Sequence, residues 1–134
     1  IKKIIKFAKK FPNEVFNGFT KITNKEQFYS PNVPKVVFNN NTDLLYMSRS
    51  PIPSNKKQQF IKAWRQVCIY SFPYKSLKAY ASIKKKTSLE FIEDLESNRF
   101  LELGYRVKML KMSNRSVAVD TLEDLIKVRK LVKN

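Results

Sequence analysis

Hydrophobic and polar residues follow both helical and strand periods along this chain. Near its start, Ile1, Ile4 and Ala8 recur at helical spacing with lysines between them. This spacing predicts an amphipathic helix that ends near Lys10, before Pro12. Farther along, runs rich in β-branched and aromatic residues predict strands, with polar turns between them. The predicted strands cover residues 15–22, 35–38, 44–48, 66–72, 105–111 and 116–119.

Further helices are marked by their end signals. Thr87 and Glu90 match a capping box, apolar residues follow at helical intervals as far as Leu103, and Gly104 stands where a helix C-terminal glycine belongs. Thr121 is placed to cap a last helix. Helices mixed with strands in this order predict an α/β or α+β sheet with helices packed on it. The predicted helical segments are 25–29, 60–63 (a short helix at most), 76–83, 88–103 and 121–131.

Length and composition indicate one folded domain. The chain has 134 residues, of which 43% are hydrophobic and 13% aromatic, enough for a real core. No apolar run approaches the roughly 20 residues of a membrane span, and no signal peptide is visible. Since the chain begins with Ile1 rather than Met, we expect that its start has been removed or that it is a piece of a longer chain.

Residue types that are rare here exclude several kinds of chemistry. The chain has one cysteine, Cys68, and no histidine, so it cannot form an internal disulfide, a zinc site or a Cys–His catalytic pair. Its two glycines exclude a glycine-rich phosphate loop. A metal bound here would be a hard, oxygen-bound ion such as Mg²⁺, and the single thiol fits a reducing compartment such as the cytoplasm.

The charge is strongly positive and permits a second class of function. Lys and Arg number 27 against 11 Asp and Glu, a formal net charge of +16. A basic module that binds nucleic acid is therefore an alternative to an enzyme. Against it, the aromatic residues follow core periodicity and the lysines form short, scattered clusters rather than a surface motif.

Two residues stand at predicted strand ends, where open α/β sheets bind ligands. Asp120 ends an apolar run just before a helix, so its carboxylate can hold Mg²⁺ against a phosphate. The simpler interpretation, which local physics favours, is a helix-start acid that complements the helix dipole. Arg49 precedes a Pro-x-Pro segment, and its planar fork suits a carboxylate or phosphate. Taken alone, the segment favours the simpler interpretation of a solvated arginine, one of many cations in the chain.

Two other segments carry polar groups. One predicted helix contains four acids close together, Glu90, Glu93, Asp94 and Glu96. The helix dipole favours acids at a helix start, but Glu96 lies deeper in the helix, so the dipole accounts for its position least. On the strand over residues 66–72, Gln66 and Tyr70 can project polar atoms near a strand end.

Together these segments resemble the later half of the 3-deoxy-manno-octulosonate cytidylyltransferases, the CMP-KDO synthetases. The helix over residues 88–104 is similar to a stretch of that family as well. No single motif is decisive, but their order and spacing are fairly specific. The matching segments read SPNVPKVV, LYMSRSPIP, CIYSF and VDTLEDL, in that order.

The resemblance implies a fold, a reaction and partners. The fold would be α/β, a three-layer α/β/α mixed sheet of the nucleotide-diphospho-sugar transferase type, incomplete at its amino-terminal side. The reaction would couple CTP to an ulosonic acid sugar with release of pyrophosphate, using Mg²⁺, in a cytoplasmic homodimer. Residues 1–134 would form the carboxy-terminal part of one domain, on the sugar-binding and dimerisation side. Without the CTP-binding half, we expect the chain alone to be inactive, or to act only as a dimerisation partner.

The resemblance also assigns roles. It implies that Asp120 binds the metal and that Arg49 grips the sugar carboxylate. Tyr70 and Glu96 match positions that contact the sugar.

Two sugar-contacting positions depart from the family. Gln66 stands where members carry His, and Ser97 stands where many carry Gln. Both changes fall on the sugar side, so the resemblance leaves open an amino-KDO or another ulosonic acid.

Overall fold

The computed structural model describes residues 1–114, 119 and 122–132 as a mixed β-sheet with helices. The strands are β1 (Val15–Lys21), β2 (Lys35–Phe38), β3 (Leu44–Ser48), β4 (Trp64–Ser71) and β5 (Val107–Lys111). The helices are α1 (Lys2–Lys10), α2 (Lys25–Tyr29), α3 (Tyr74–Ser82), α4 (Ser88–Glu93), α5 (Glu96–Glu102) and α6 (Leu122–Val132).

The strands lie in the order β3-β2-β4-β1-β5. Strands β2 and β3 form an antiparallel hairpin, and β4 is antiparallel to both β2 and β1. Among the strands in the described residues, only β1 and β5 run parallel. A parallel pair requires a long connection, and here the chain between β1 and β5 contains the β2–β3 hairpin, β4 and helices α3, α4 and α5. The mixed α/β class predicted from the sequence is confirmed.

Both faces of the sheet are covered, because successive side chains of a strand point to opposite faces. On one face, Phe16 of β1 packs with Ile4 of α1 and with Leu110. On the other face, Phe19 of β1 belongs to the main core, to which α5 contributes Phe100. The core therefore has one layer on each face of the sheet. Helices α4 and α5 lie on the same face as Phe19.

Most predicted elements lie where expected. Helix α2 and strands β2 and β3 have the predicted bounds, and α1, β1, β4, α3 and β5 differ by one or two residues at an end. The predicted strand over 116–119 lies mainly outside the described residues, and Val119 is not in a strand. The cap at Thr121 also lies outside them, whereas the last helix is present as α6.

The helix expected over residues 60–63 is wrong. This segment is irregular and leads directly into β4. The carbonyl of Ala63 accepts a hydrogen bond of 3.0 Å from the amide of Ile22, and Phe60 packs beside Phe28. Ala63 is thus buried and Phe60 partly buried without a helix, whereas Ile61 is exposed.

The single helix expected over residues 88–103 is also wrong, because it breaks in the middle. Asp94 adopts a left-handed conformation at φ 52°, and Leu95 is extended and buried. Aspartate is among the few residues that tolerate this conformation. Glu93 thus ends α4, and Glu96 begins α5. The capping box at Thr87 and Glu90 and the positive φ of Gly104 are confirmed.

A buried ion pair joins α4 to α5. The side chains of Glu90 and Arg99 are 2% and 8% exposed and are in direct contact. The other carboxylate oxygen of Glu90 accepts a hydrogen bond of 2.9 Å from the hydroxyl of Tyr80, and the Arg99 guanidinium lies 3.9 Å from the centre of the Tyr80 ring. Burial, and then the bond to Glu90, raise the pKa of Tyr80 to about 12.

We expect Glu90→Ala to lower the free energy of unfolding by about 3–5 kcal/mol, because it leaves the charge of Arg99 buried without its partner. Urea unfolding followed by circular dichroism measures this loss. The matched control is Lys86→Ala, which breaks the exposed pair of Lys86 with Asp94 and should leave the midpoint nearly unchanged. Equal effects of the two variants would contradict the importance of the buried pair.

Candidate functional site

Four residues predicted from the sequence lie together between β4 and α5. Tyr70 and Glu96 line one cavity of about 250 Å³. The side-chain amide of Gln66 donates a hydrogen bond to the hydroxyl of Tyr70. Ser97 is buried at the start of α5, with its hydroxyl beside that of Tyr70. The break at Asp94 makes this grouping possible, because it lets α5 begin at the end of β4.

The cavity has an aromatic wall. The rings of Phe72 and Phe100 stack with centroids 4.9 Å apart, and the stack continues to Tyr70 at 5.3 Å and to Tyr80 at 5.0 Å. Leu77 of α3 closes one side. An aromatic wall suits the C–H face of a sugar ring, and the exposed carboxylate of Glu96 can accept hydrogen bonds from hydroxyl groups.

Tyr70 is a hydrogen-bonding group at physiological pH. Burial raises the pKa of its hydroxyl, while the neighbouring Ser97 hydroxyl and the hydrogen bond from Gln66 act in the opposite direction. The phenol therefore stays protonated and can donate to a ligand. Cys68 lies two residues away on β4, exposed, with its sulfur 3.8 Å from the side-chain oxygen of Gln66.

Arg49 lies just beyond the end of β3 and does not line this cavity. Its guanidinium donates hydrogen bonds to three backbone carbonyls, those of Glu93 at 2.7 Å, Pro31 at 3.0 Å and Asp94 at 3.2 Å. The last carbonyls of a helix lack partners, and a cation there also complements the helix dipole. Arg49 therefore caps the carboxyl end of α4, two to three residues before Glu96.

The carboxylate of Glu93 accepts hydrogen bonds from the end of β3 and from the residue that follows it. One carboxylate oxygen accepts hydrogen bonds from Ser48 at 2.6 Å and Tyr46 at 3.0 Å, and the other accepts from the amide of Arg49 at 2.8 Å. Burial alone would raise the pKa of Glu93, but the hydrogen bonds from Ser48 and the Arg49 amide bring it below its ordinary value. Glu93 is therefore ionised at neutral pH.

Lys35 completes the group from β2. It is fully buried, and its ammonium donates to the carbonyl of Ser30 at 2.8 Å and to the carbonyl of Arg49. Burial lowers the pKa of Lys35 to about 8; the charge of Glu93 opposes this shift and that of Arg49 adds to it.

Sequence reasoning missed Glu93 and Lys35. Glu93 was interpreted as an acid near a helix start, and the break at Asp94 instead places it at a helix end, where the dipole disfavours a negative charge. The available signal was the concentration of acids in a chain with few of them. Lys35 gave no signal, since it is one lysine among many.

Asp120, the predicted metal ligand, lies outside the described residues. Within residues 1–114, 119 and 122–132, no three His, Cys, Asp or Glu side chains are grouped as a metal site requires. In the same part of the chain, no helix has the length and apolar character needed to cross a membrane.

Comparison with known proteins defines the class. The model of the family described as "Cytidylyltransferase" matches residues 1–112. A solved structure of CMP:2-keto-3-deoxy-manno-octonic acid synthetase complexed with CTP is similar, with a TM-score of 0.85, 28% identity, and coverage of 98% of this chain and 54% of that one. The chain therefore belongs to the cytidylyltransferase family.

The curated relatives narrow the resemblance. A 3-deoxy-manno-octulosonate cytidylyltransferase of Flavobacterium johnsoniae is 36% identical over 114 residues, covering 84% of this chain and 46% of the relative. One from Francisella tularensis subsp. holarctica is 42% identical over 118 residues, covering 83% and 47%. The chain thus spans about half the length of these relatives. The resemblance predicted from the sequence is confirmed, and the nucleic-acid-binding alternative is not favoured.

We expect Lys35→Met to change how stability depends on pH. Folded Lys35 releases its proton near pH 8, whereas the unfolded side chain keeps it up to about its ordinary value of 10.5. Between these values the unfolded state binds more protons, so Lys35 makes the wild type more stable as pH rises.

The difference in unfolding free energy, wild type minus Lys35→Met, should be flat below pH 8. Above it, the difference should rise on the order of 1.4 kcal/mol per pH unit. Urea unfolding at pH 7, 8, 9 and 10, followed by Trp64 fluorescence, measures it. A difference that stays flat up to pH 10 would contradict the lowered pKa.

Proposed function

We propose that the complete gene product activates a KDO-type acid sugar with CTP, giving the CMP-sugar and pyrophosphate for surface glycan or lipopolysaccharide synthesis. The observation that carries the proposal is the match to 3-deoxy-manno-octulosonate cytidylyltransferases over 84% of the chain, together with the cavity that Tyr70 and Glu96 line, with Gln66 and Ser97 beside Tyr70. In the proposed reaction, the anomeric oxygen of the sugar bonds to the α-phosphorus of CTP. The bond from that phosphorus to the bridging oxygen breaks, pyrophosphate leaves, and the anomeric hydroxyl loses its proton.

The described residues supply the sugar side of this reaction. We assign Arg49 to the sugar carboxylate, because a guanidinium binds a carboxylate through two parallel hydrogen bonds. Tyr70 and Gln66 are assigned to sugar hydroxyls, because both side chains can donate and accept hydrogen bonds. Glu96 accepts from further hydroxyls at the mouth of the cavity. Their common contribution is to orient the anomeric oxygen toward the nucleotide.

The sugar itself is proposed to be KDO or a close relative of it. The names of the matching proteins support KDO. Gln66 can hydrogen-bond a hydroxyl but cannot carry the charge of a histidine, and Ser97 is shorter than a glutamine. An amino-substituted or longer ulosonic acid is therefore the natural second substrate to assay.

Three further properties belong to the same proposal. We assign Mg²⁺ to the reaction, with Asp120 as one ligand, since this ion neutralises charge on a transferring phosphoryl group. We place the reaction in the cytoplasm. We also propose a homodimer, which sedimentation of the complete gene product tests.

We expect Asp120→Asn in the complete gene product to lower the rate of pyrophosphate release by at least a hundredfold. An amide cannot supply the negative charge that holds a divalent cation. Pyrophosphate release from CTP in the presence of KDO, measured with and without Mg²⁺, gives the result. Wild-type rates in the variant would remove Asp120 from the metal site.

For Arg49→Ala we expect a rise in the KM for the acid sugar on the order of a hundredfold, with the KM for CTP unchanged. The variant removes the proposed charge-assisted, bidentate contact to the sugar carboxylate. It also removes the three hydrogen bonds to backbone carbonyls that cap α4, and none of these contacts involves CTP. Steady-state kinetics with each substrate varied in turn measure the two constants. An unchanged sugar KM would show that Arg49 serves only as a helix cap.

A further inference from the structure

Arg49 has an unusual set of partners for an arginine on a charged surface. Its guanidinium has five N–H donors, and backbone carbonyls take three of them, one on each nitrogen. One donor remains on each terminal nitrogen, which is the number that a bidentate carboxylate accepts. Within the described part of the chain, no carboxylate forms an ion pair with this guanidinium. Its charge is therefore held in place and left for an anionic ligand.

The backbone of Arg49 is held as firmly as its side chain. Its amide donates to a Glu93 carboxylate oxygen at 2.8 Å, and its carbonyl accepts from the buried ammonium of Lys35. Neither bond belongs to the sheet, because β3 ends one residue earlier at Ser48. Charged side chains therefore hold both the amide and the carbonyl of Arg49 at the point where the sheet no longer does so.

Glu93 makes these bonds reciprocal. Its side chain binds the amide of Arg49, and its own backbone carbonyl accepts from the Nε of Arg49 at 2.7 Å. The same carboxylate also accepts hydrogen bonds from Ser48 and Tyr46, so it fixes the end of β3, the strand that Arg49 follows. An acid at a helix carboxyl end opposes the helix dipole, and these contacts offset that cost.

We propose that Glu93 is a positioning residue for the acid-sugar site, which acts by holding Arg49 so that its two remaining donors meet the sugar carboxylate. Lys35 holds the same residue from the opposite side. This inference rests on the proposed function, and in particular on the assignment of Arg49 to the sugar carboxylate.

The test measures CMP-sugar formation by the complete gene product with KDO and CTP. Glu93→Gln keeps the shape of the side chain but replaces one acceptor oxygen by a donor, so it cannot accept from Ser48, Tyr46 and the Arg49 amide together. We expect the KM for KDO to rise on the order of tenfold, with the KM for CTP unchanged. The matched control is Asp43→Asn, which alters a carboxylate bound to Lys108 at the β2–β3 turn and should leave both constants unchanged.

A double-mutant cycle separates positioning from general loss of stability. If Glu93 acts through Arg49, adding Glu93→Gln to Arg49→Ala should raise the sugar KM by less than twofold beyond the single variant. Independent, multiplying effects would overturn the proposal, and so would an unchanged sugar KM in Glu93→Gln.

If Glu93→Gln fails to fold by circular dichroism, Lys35→Met takes its place in the same cycle, with the same expected rise and the same non-additivity. Failure of the proposed function looks different. In that case the wild type forms no CMP-sugar at all, and the positioning role falls with it.

Discussion

The structure around the site depends on one constraint, the need of the carboxyl end of α4 for hydrogen-bond donors. The helix stops at Asp94, and its last carbonyls face the end of β3. Arg49 supplies the donors, and Glu93 returns a hydrogen bond to the backbone that carries Arg49. Because the helix ends there, α5 can begin at Glu96 and bring Ser97 beside Tyr70. The helix end, the strand end and the cavity are thus parts of one arrangement.

The charges of this arrangement form two groups, one that is internally compensated and one that keeps a net positive charge. The pair of Glu90 and Arg99 is buried and neutral as a unit, and it anchors α4 to α5 behind the aromatic stack. Near the end of β3, the charges of Lys35 and Arg49 both act on the carboxylate of Glu93 through space, without a direct ion pair. A small positive excess therefore remains where an acid sugar is proposed to bind. An anionic ligand bound at this cluster would neutralise the remaining positive charge.

Local patterns predicted the sheet well and the site only in part. The hairpin of β2 and β3 was predicted at its bounds because prolines and asparagines mark its ends. The break at Asp94 was missed because apolar periodicity continues across it, and a long-range bond to Arg49 decides it. Gln66, Tyr70, Glu96 and Ser97 were predicted through the family resemblance and lie together. Their roles, and that of Asp120, stay predictions. For Glu93 the sequence offered only the local concentration of acids, and for Lys35 it offered no signal, since the partners of both are defined only by the folded chain.

The separation along the chain of the residues that meet at Arg49 has a consequence for how the protein folds. Arg49 and Glu93 are 44 positions apart, whereas the hairpin of β2 and β3 closes over a few residues. Closing the longer loop costs more chain entropy, so such contacts form after local ones. The β2–β3 hairpin can therefore form before the guanidinium is held, whereas β5 joins β1 across a longer separation than that of Arg49 and Glu93. Local opening of the native state should likewise release the α4–α5 junction before it disturbs this hairpin, so hydrogen exchange of the junction amides should be faster than that of the hairpin amides.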